Sequence, residues 1–418
     1  MIGGRNLLSA ALTAVLLVVY PCAAMAVIVA GDFQNGSDTN VNTTPPPSDP
    51  GFYNVGATGS ASAIYLGNDW VLTASHVTVG ATTFSFPDPG NPSQLDTATY
   101  SVVPNSGVLI TNPSGEHAGT ISDLFLYKID PTSSSFGAPN LPQLLLDSTS
   151  PTIGTNVVAV GRGVDRASTL TYWDNTLPVW NTTTQALASH SGYITTGPQV
   201  MRWGDNTVSA TSSPFNVGTV SDPRWIQAFQ TTFNSGSGAS PNEFQVTTGD
   251  SGGAVFTNVG GVWMLSGMID SIGLVNGQPF STNGNSWTAA FGDTSILTDI
   301  SFYRSEILAH VPLFGDLNGD GIVNTQDLAI VSSNWLATGT GIAGDVNGDG
   351  IVNSQDLALI SSNWPRQAGN TSEAVGAQGG TNVPEPKAVI LAIVGGALLW
   401  CVHRLQKCRG LKSQTGLS

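Results

Sequence analysis

Cysteine is missing from the body of this chain. Its three cysteines, Cys22, Cys401 and Cys408, fall in the terminal segments. That excludes a disulfide framework for the fold and a thiol nucleophile within it. At 418 residues the chain is long enough to build a core without bridges. Positive charge is nearly as scarce. Of 13 Lys and Arg, Arg5 lies near the start and Lys387, Arg404, Lys407, Arg409 and Lys412 lie near the end. Against 28 Asp and Glu this gives a formal charge of −15. A body so poor in cations has no electrostatic footprint for nucleic acid, which is excluded as a partner; metal binding suits it better. Charged residues make up only 10% in all, so Ser, Thr, Asn and Gly carry the surface polarity. Long helical patterns are few as well. With Gly at 49 and Pro at 24, and frequent Thr and Val, short strands and many turns are expected.

Continuous apolar stretches stand out at the two ends. Residues 1–26 combine Arg5, the run Leu7–Val19 and the small-residue stretch ending Ala24-Met25-Ala26. This is the pattern of a secretory signal peptide cleaved after Ala26. Residues 27–50, with Thr43-Thr44-Pro45-Pro46-Pro47-Ser48, have the composition of a linker or pro-segment. At the other end, a linker at 366–382 leads to Val383-Pro384-Glu385-Pro386, the apolar stretch Ala388–Val402 and the basic run His403–Lys412. The stretch is short for a membrane span of about 20 residues, and the basic run would hold its end in the cytoplasm. The segment 383–418 resembles the PEP-CTERM sorting tail of bacterial exported proteins. The resemblance implies a membrane-bound sorting protease as a partner and export through the inner membrane. The destination is then secretion or the cell surface, with transient or lasting anchoring; a plain short membrane anchor is the alternative.

Between residues 51 and 311 apolar runs such as Ala63-Ile64-Tyr65-Leu66, Leu124-Phe125-Leu126-Tyr127 and Val157-Val158-Ala159-Val160 are separated by Gly, Pro, Asn and Ser. Such runs predict an all-β barrel or sandwich, with one helix near the end, around Ser301–Leu308. Three segments carry chemistry. Asn68–His76 reads as a strand running into a turn that presents His76; Ser122–Ile129 puts Asp123 at the head of an apolar strand; Thr248–Val255 sets Ser251 in a Gly-rich loop. A serine hydroxyl is a weak nucleophile until a neighbouring base takes its proton, and histidine serves as that base near neutral pH. A buried carboxylate on the other ring nitrogen holds the required tautomer, and backbone N–H groups in a glycine-rich turn can stabilise an oxyanion. Gly249–Gly253 also satisfies Gly-x-Ser-x-Gly, the nucleophile elbow of α/β-hydrolases. That fold needs the base after the serine, and only His310 and His403 follow Ser251. Chain order and the shortage of helices exclude it.

Trp70-Val71-Leu72-Thr73-Ala74 leading to His76, Asp123-Leu124 with Leu126, Lys128 and Ile129, and Gly249-Asp250-Ser251-Gly252-Gly253 resemble the three signatures of the chymotrypsin/trypsin-like serine peptidases. Val157–Gly163 is similar to that family's middle strand, Val262–Gly273 to its pocket-wall strand and Leu297–Val311 to its closing helix. The resemblance implies a double six-stranded β-barrel with a C-terminal helix and a site in the cleft between barrels. It implies His76 as general base and then acid, Asp123 as its orienting partner and Ser251 as nucleophile. Gly249 and Ser251 would supply the oxyanion-hole N–H groups, and Asp250 would be the buried carboxylate that pairs with a processed N-terminus. The pocket floor falls at Gln245, where no acid stands to favour Lys or Arg; Asp270, on the pocket-wall strand, either supplies a negative charge or is only hydrogen-bonded. The departures are the missing disulfides, a loose Ile28-Val29-Ala30-Gly31 in place of the usual mature start, and a long Asp123-to-Ser251 interval that predicts inserted loops across 163–240.

A repeat follows at 312–365. The stretch from Gly315 recurs 29 residues later from Gly344, and both copies end in Ser-Ser-Asn-Trp. Each copy spaces oxygen donors like an EF-hand loop. The candidate calcium ligands are Asp316, Asn318, Asp320, the Ile322 carbonyl, Asn324 and Asp327, and then Asp345, Asn347, Asp349, the Ile351 carbonyl, Asn353 and Asp356. Short helices are expected at Leu328–Trp335 and Leu357–Trp364. The pair resembles a dockerin type I module, which implies two Ca2+ sites and a cohesin-like partner; a stabilising calcium spacer is the alternative. The reading is thus a secreted serine endopeptidase acting on protein or peptide substrates, with catalysis needing no cofactor. Its rival is a catalytically silent, surface- or scaffold-attached binding protein.

Overall fold

The computed structural model describes residues 27–30, 42–174, 180–275, 278, 287–311, 313, 315–319, 322–339, 341–346, 350–362 and 366–367. The expected signal peptide, the sorting tail and all three cysteines lie outside them. Among the described residues no helix is long and apolar enough to cross a membrane.

A short strand β1 (Ile28–Val29) precedes the first sheet, made of β2 (Val55–Thr58), β3 (Ala61–Gly67), β4 (Trp70–Ala74), β5 (Thr82–Asp88), β6 (Asn91–Val102), β7 (Val108–Thr111) and β8 (Ile121–Asp130). Its order is β4-β3-β2-β5-β6-β8-β7, and pairing of β4 with β8 closes six of these strands into a ring. The sequence sets the turns and faces. Asn68 and Asp69 both take positive φ (51° and 64°), the twist that a tight hairpin between β3 and β4 requires. Along β5 and β6, Phe84, Phe86, Ala98 and Tyr100 point inward. The outward hydroxyls pair across the strands, Thr83 with Thr99 at 2.9 Å and Ser85 with Thr97 at 3.0 Å.

The second sheet contains β9 (Asn156–Arg166), β10 (Thr171–Asp174), β11 (Asn181–Thr182), β12 (His190–Asn216), β13 (Trp225–Thr232), β15 (Ala254–Val259), β16 (Val262–Gly273), β17 (Trp287–Ala290) and β18 (Thr294–Asp299); β14 (Phe244–Gln245) pairs with β1. The path β12-β13-β18-β16-β15-β9, closed by β9 against β12, forms a second six-stranded ring. The expected double six-stranded barrel is therefore present, with further strands outside each ring. Phe84, Tyr100 and Tyr127 fill the first ring, Val157, Phe229 and Phe244 the second. Ile64, Leu72, Leu124, Val160, Phe256 and Met268 belong to one apolar cluster spanning both. Helix α1 (Ile300–His310) closes the body, its first turn capped by Asp299, which accepts from the Ser301 N–H at 3.0 Å.

Two sequence expectations change. Across the interval 163–240, expected to hold inserted loops, the longest element is one strand, β12, 27 residues long, with β10, β11, β13 and the end of β9 also falling there. Its sequence, with four Thr, four Ser and three Gly, pairs successively with β10, β17, β9 and β13. Residues 27–30, placed in a linker or pro-segment, are instead buried in the second barrel. They are apolar and fill space against Tyr193 and Phe233, which a polar linker could not do.

The repeat module has a strand β19 (Ile322–Val323), helices α2 (Thr325–Ser333) and α3 (Ser354–Ser362), and a strand β20 (Arg366–Gln367) pairing with β19. Both helices start three residues before the expected Leu328 and Leu357. In α2 the cause is a capping box: the Asn324 side chain and the Asp327 carboxylate satisfy backbone N–H groups reciprocally. Val323, Val331, Val352 and Ile360 pack together with Leu313 and with Leu145 and Met264 of the barrel body.

Candidate active site

Register brings the first two candidates together. Strands β4 and β8 pair with Ala74 opposite Leu124, so the chain leaving β4 passes Asp123. The Ser75 N–H donates to the Asp123 carbonyl at 2.9 Å, and the His76 N–H to Asp123 Oδ1 at 2.9 Å. These bonds fix the turn so that His76 Nδ1 meets Asp123 Oδ2 in a short hydrogen bond. The other ring nitrogen, Nε2, lies 3.0 Å from Ser251 Oγ. Asp123 is buried, whereas the His76 side chain is 40% exposed and so reachable from solvent.

Ser251 comes from the loop between β14 and β15, and the first barrel grips that loop. The Ser62 N–H donates to the Ser251 carbonyl at 3.0 Å, and Ser62 Oγ to the Gly249 carbonyl at 3.0 Å. Gly252 is required where the barrels meet. Its φ is +82°, and a Cβ there would lie 2.3 Å from the Ser62 carbonyl oxygen. The backbone N–H groups of Gly249 and Ser251 donate to no acceptor among the described residues, leaving both available to an oxyanion.

Partial withdrawal of the His76 ring from water disfavours its charged form. The hydrogen bond and charge of Asp123, with the charge at Asp270, outweigh this and push its pKa up to about 9. Two residues of this network went unread in the sequence. Ser75 Oγ donates to Asp123 Oδ1 at 2.5 Å, and the Arg224 guanidinium donates to Ser75 Oγ at 3.2 Å. Ser75 stood inside the histidine motif and could have been found by its place beside His76. Arg224, 149 residues away, had no local signal.

Asp250 is fully buried behind the serine loop. Burial pushes its carboxyl well above the usual carboxylate range, while the N–H groups of Thr247 and Val27 and the charge of Arg202 pull the other way. Its Oδ1 lies against Gly161, where a Cβ would come within 2.2 Å. The segment carrying Val27 is pinned: Arg166 Nε donates to the Val29 carbonyl at 2.7 Å, Tyr193 Oη to the Ala30 carbonyl at 3.1 Å, and the Ala30 N–H to the Glu243 carbonyl at 2.8 Å.

Of the two pocket candidates, Gln245 lines a small cavity of about 10 Å³, room for one water, together with Thr195, Thr247, Ile272 and Asp293. Its Nε2 donates to the carbonyls of Val246 and Thr294, and its buried Oε1 takes no hydrogen bond from any described donor. Asp270 is different. Its carboxylate accepts from Thr298 Oγ1 at 3.0 Å and turns toward Asp123 and His76, away from that cavity. Of the two roles open to Asp270 in the sequence this favours the hydrogen-bonded one, and the cause is simple: adjacent residues on β16 face opposite sides, and Asp270 falls on the histidine side.

In the repeat module Asp316 Oδ1 accepts from the Gly319 N–H at 2.8 Å, and Asp345 Oδ2 from the Gly350 N–H at 2.8 Å. Asp327 is buried and takes the N–H groups of Leu317, Asn318 and Asn324. Asp356, also buried, takes those of Val346 and Asn353. Asn324 and Asn353 turn their side-chain oxygens to the N–H groups of Gln326 and Gln355. The carbonyls of Ile322 and Ile351 lie within the same loops. Asp320, Asn347 and Asp349 lie outside the described residues. A donor set made only of oxygens, with a buried carboxylate closing each loop, fits a hard cation.

Residues 314–363 match the dockerin type I domain family model. No curated protein matches the chain by sequence. Among solved structures the chain is similar to neuropsin, described as a serine protease expressed in the limbic system of mouse brain. Identity is 13%, the match covers 65% of this chain and 98% of that one, and the TM-score is 0.34.

Proposed function

We propose that the chain is an exported serine endopeptidase that hydrolyses protein or peptide substrates through an acyl-enzyme. The observation that carries this reading is the relay itself: Ser251 Oγ lies 3.0 Å from His76 Nε2, while His76 Nδ1 is held by the buried Asp123. In the reaction Ser251 Oγ attacks the substrate carbonyl carbon as His76 Nε2 takes its proton. Asp123 holds the ring with Nδ1 protonated and stabilises the imidazolium that forms. The N–H groups of Gly249 and Ser251 receive the developing oxyanion. His76 then protonates the leaving amine, and the acyl-enzyme is released when His76 activates a water. Gln245, with Asp293 near it, is the proposed floor of the pocket for the side chain before the scissile bond; the cavity it lines has room for one water, so a substrate side chain would have to widen it. Cleavage after Ala26 would turn the Val27 N–H beside Asp250 into an ammonium, giving that buried carboxylate a counter-charge.

For the C-terminal part we propose two Ca2+ sites, held by Asp316, Asn318, Asp320, the Ile322 carbonyl, Asn324 and Asp327, and by Asp345, Asn347, Asp349, the Ile351 carbonyl, Asn353 and Asp356. Calcium there supplies cross-linking of loop oxygens, and no catalytic step depends on it. A cohesin-like domain is the partner that the dockerin match favours, with an extracellular or cell-surface location; a membrane-bound sorting protease would process the tail. The test of the enzymatic reading is hydrolysis of an unfolded protein by the purified chain. Ser251→Ala is expected to lower kcat by about 10⁴-fold or more; hydrolysis undiminished in that variant would contradict the reading, and no hydrolysis by the native chain would return it to the silent-binder reading.

A further inference from the structure

Behind His76 lie two buried carboxyls rather than one. A ring nitrogen of His76 and an oxygen each from Asp123 and Asp270 fall within 4.8 Å of one another. The two acids are served unequally. Asp123 accepts three hydrogen bonds, from Ser75 Oγ, the His76 N–H and His76 Nδ1. Asp270, 4% exposed, accepts one, from Thr298 Oγ1 to Oδ2. Its Oδ1 is buried and receives no hydrogen bond from any described donor. Two carboxylates cannot bond to each other without a proton, and the acid with fewer donors is the one that keeps it.

We propose that Asp270 is protonated at working pH and donates to the Asp123 carboxylate, as a positioning residue that keeps the shared proton off His76. His76 and Asp270 compete for that proton. With the proton on Asp270, His76 is neutral and competent as a base, and Asp123 gains a further donor. With it on His76, two carboxylates face each other out of water. The surroundings favour the first arrangement. Burial and the neighbouring Asp123 charge push the Asp270 carboxyl well above the usual range, and His76 is the one charged group that draws it down among the described residues. Tyr303 of α1 and Asp299 at its N-cap are the other titratable groups on this side; Arg224 reaches Ser75 behind Asp123. A neutral Asp270 removes one of the influences that raise His76, so the acid limb of activity falls below the value of about 9 that includes an Asp270 charge.

This inference rests on the peptidase reading, and its test separates the two. In pH profiles, Asp270→Ala is expected to lower kcat by about tenfold with KM held. Asp270→Asn, which keeps a donor and adds no charge, restores the larger part of that loss and leaves the acid-limb pKa where it was. An acid limb lowered by about one unit or more in Asp270→Asn would mean that the native residue is a carboxylate and would overturn the proposal. Equal losses in Asn and Ala would do the same. Infrared spectra of Ser251→Ala protein decide the proton without any turnover. A protonated-carboxyl band present at neutral pH and lost in the Ser251→Ala/Asp270→Asn double variant supports the proposal; a spectrum without that band contradicts it. Failure of the peptidase reading would appear elsewhere, as hydrolysis undiminished by Ser251→Ala.

Discussion

The barrel body and the repeat module solve the same problem with different means. Each barrel closes a six-stranded ring on aromatic side chains, and the rings share an apolar cluster of their own. The candidate active site is held entirely by protein groups, from the Ser62 contacts to the Asp123 network. The module has two helices of nine residues each, too short to persist alone in water. Its core of Val323, Val331, Val352 and Ile360 is completed by Leu145 and Met264 from the body. Its loops are drawn together by buried carboxylates that accept backbone N–H groups. The lesson is that hydrophobic closure fixes geometry without an ion. A small acidic module instead leans on a neighbour, and the proposed Ca2+ would offset its charge.

Chelation would break the comparison most strongly. Removing calcium is expected to cost the module about 3 kcal/mol or more if the ion is present at a hundredfold its dissociation constant. The helical signal of α2 and α3 should then melt earlier, while hydrolysis of a peptide substrate persists. Simultaneous loss of activity at the same chelator concentration would show that Leu145 and Met264 bind the two regions into one cooperative unit. A smaller effect sharpens the picture. Asp327→Ala removes the acceptor of three N–H groups and half of the α2 capping box. It should destabilise the module by about 1–3 kcal/mol in calorimetry and leave the barrel transition where it was. A shift of the barrel transition of equal size would contradict the division.

Much of this was legible because the signals are local. His76 and Ser251 each stand in a short stretch whose neighbours shape the same turn, and Asp123 begins the strand that pairs with the histidine strand. The repeat loops were readable for the same reason: donors and glycine recur at fixed offsets. What escaped reading depends on distant partners. Asp270 could be read as a pocket charge or as a hydrogen-bonded acid, since one sequence cannot say that its face of β16 turns toward Asp123. Val27–Ala30 looked like a linker until Arg166, Tyr193 and Glu243 were seen to hold it. The long β12 is written in Thr, Ser and Gly that suit loops as well as strands, and only pairing with four neighbours settles it. Helix starts were missed by one turn at Asn324 because a capping box is spelled in the same residues as a calcium loop.

The central claim is that His76, Asp123 and Ser251 form a working relay held by the barrels alone. Its most direct measurement is labelling of the purified protein by a serine-directed fluorophosphonate in the presence of a calcium chelator, with the adduct mapped by peptide mass spectrometry. The account predicts one adduct, on Ser251, which disappears in His76→Ala. No adduct on Ser251 in the folded protein, or labelling that survives loss of His76, would contradict it.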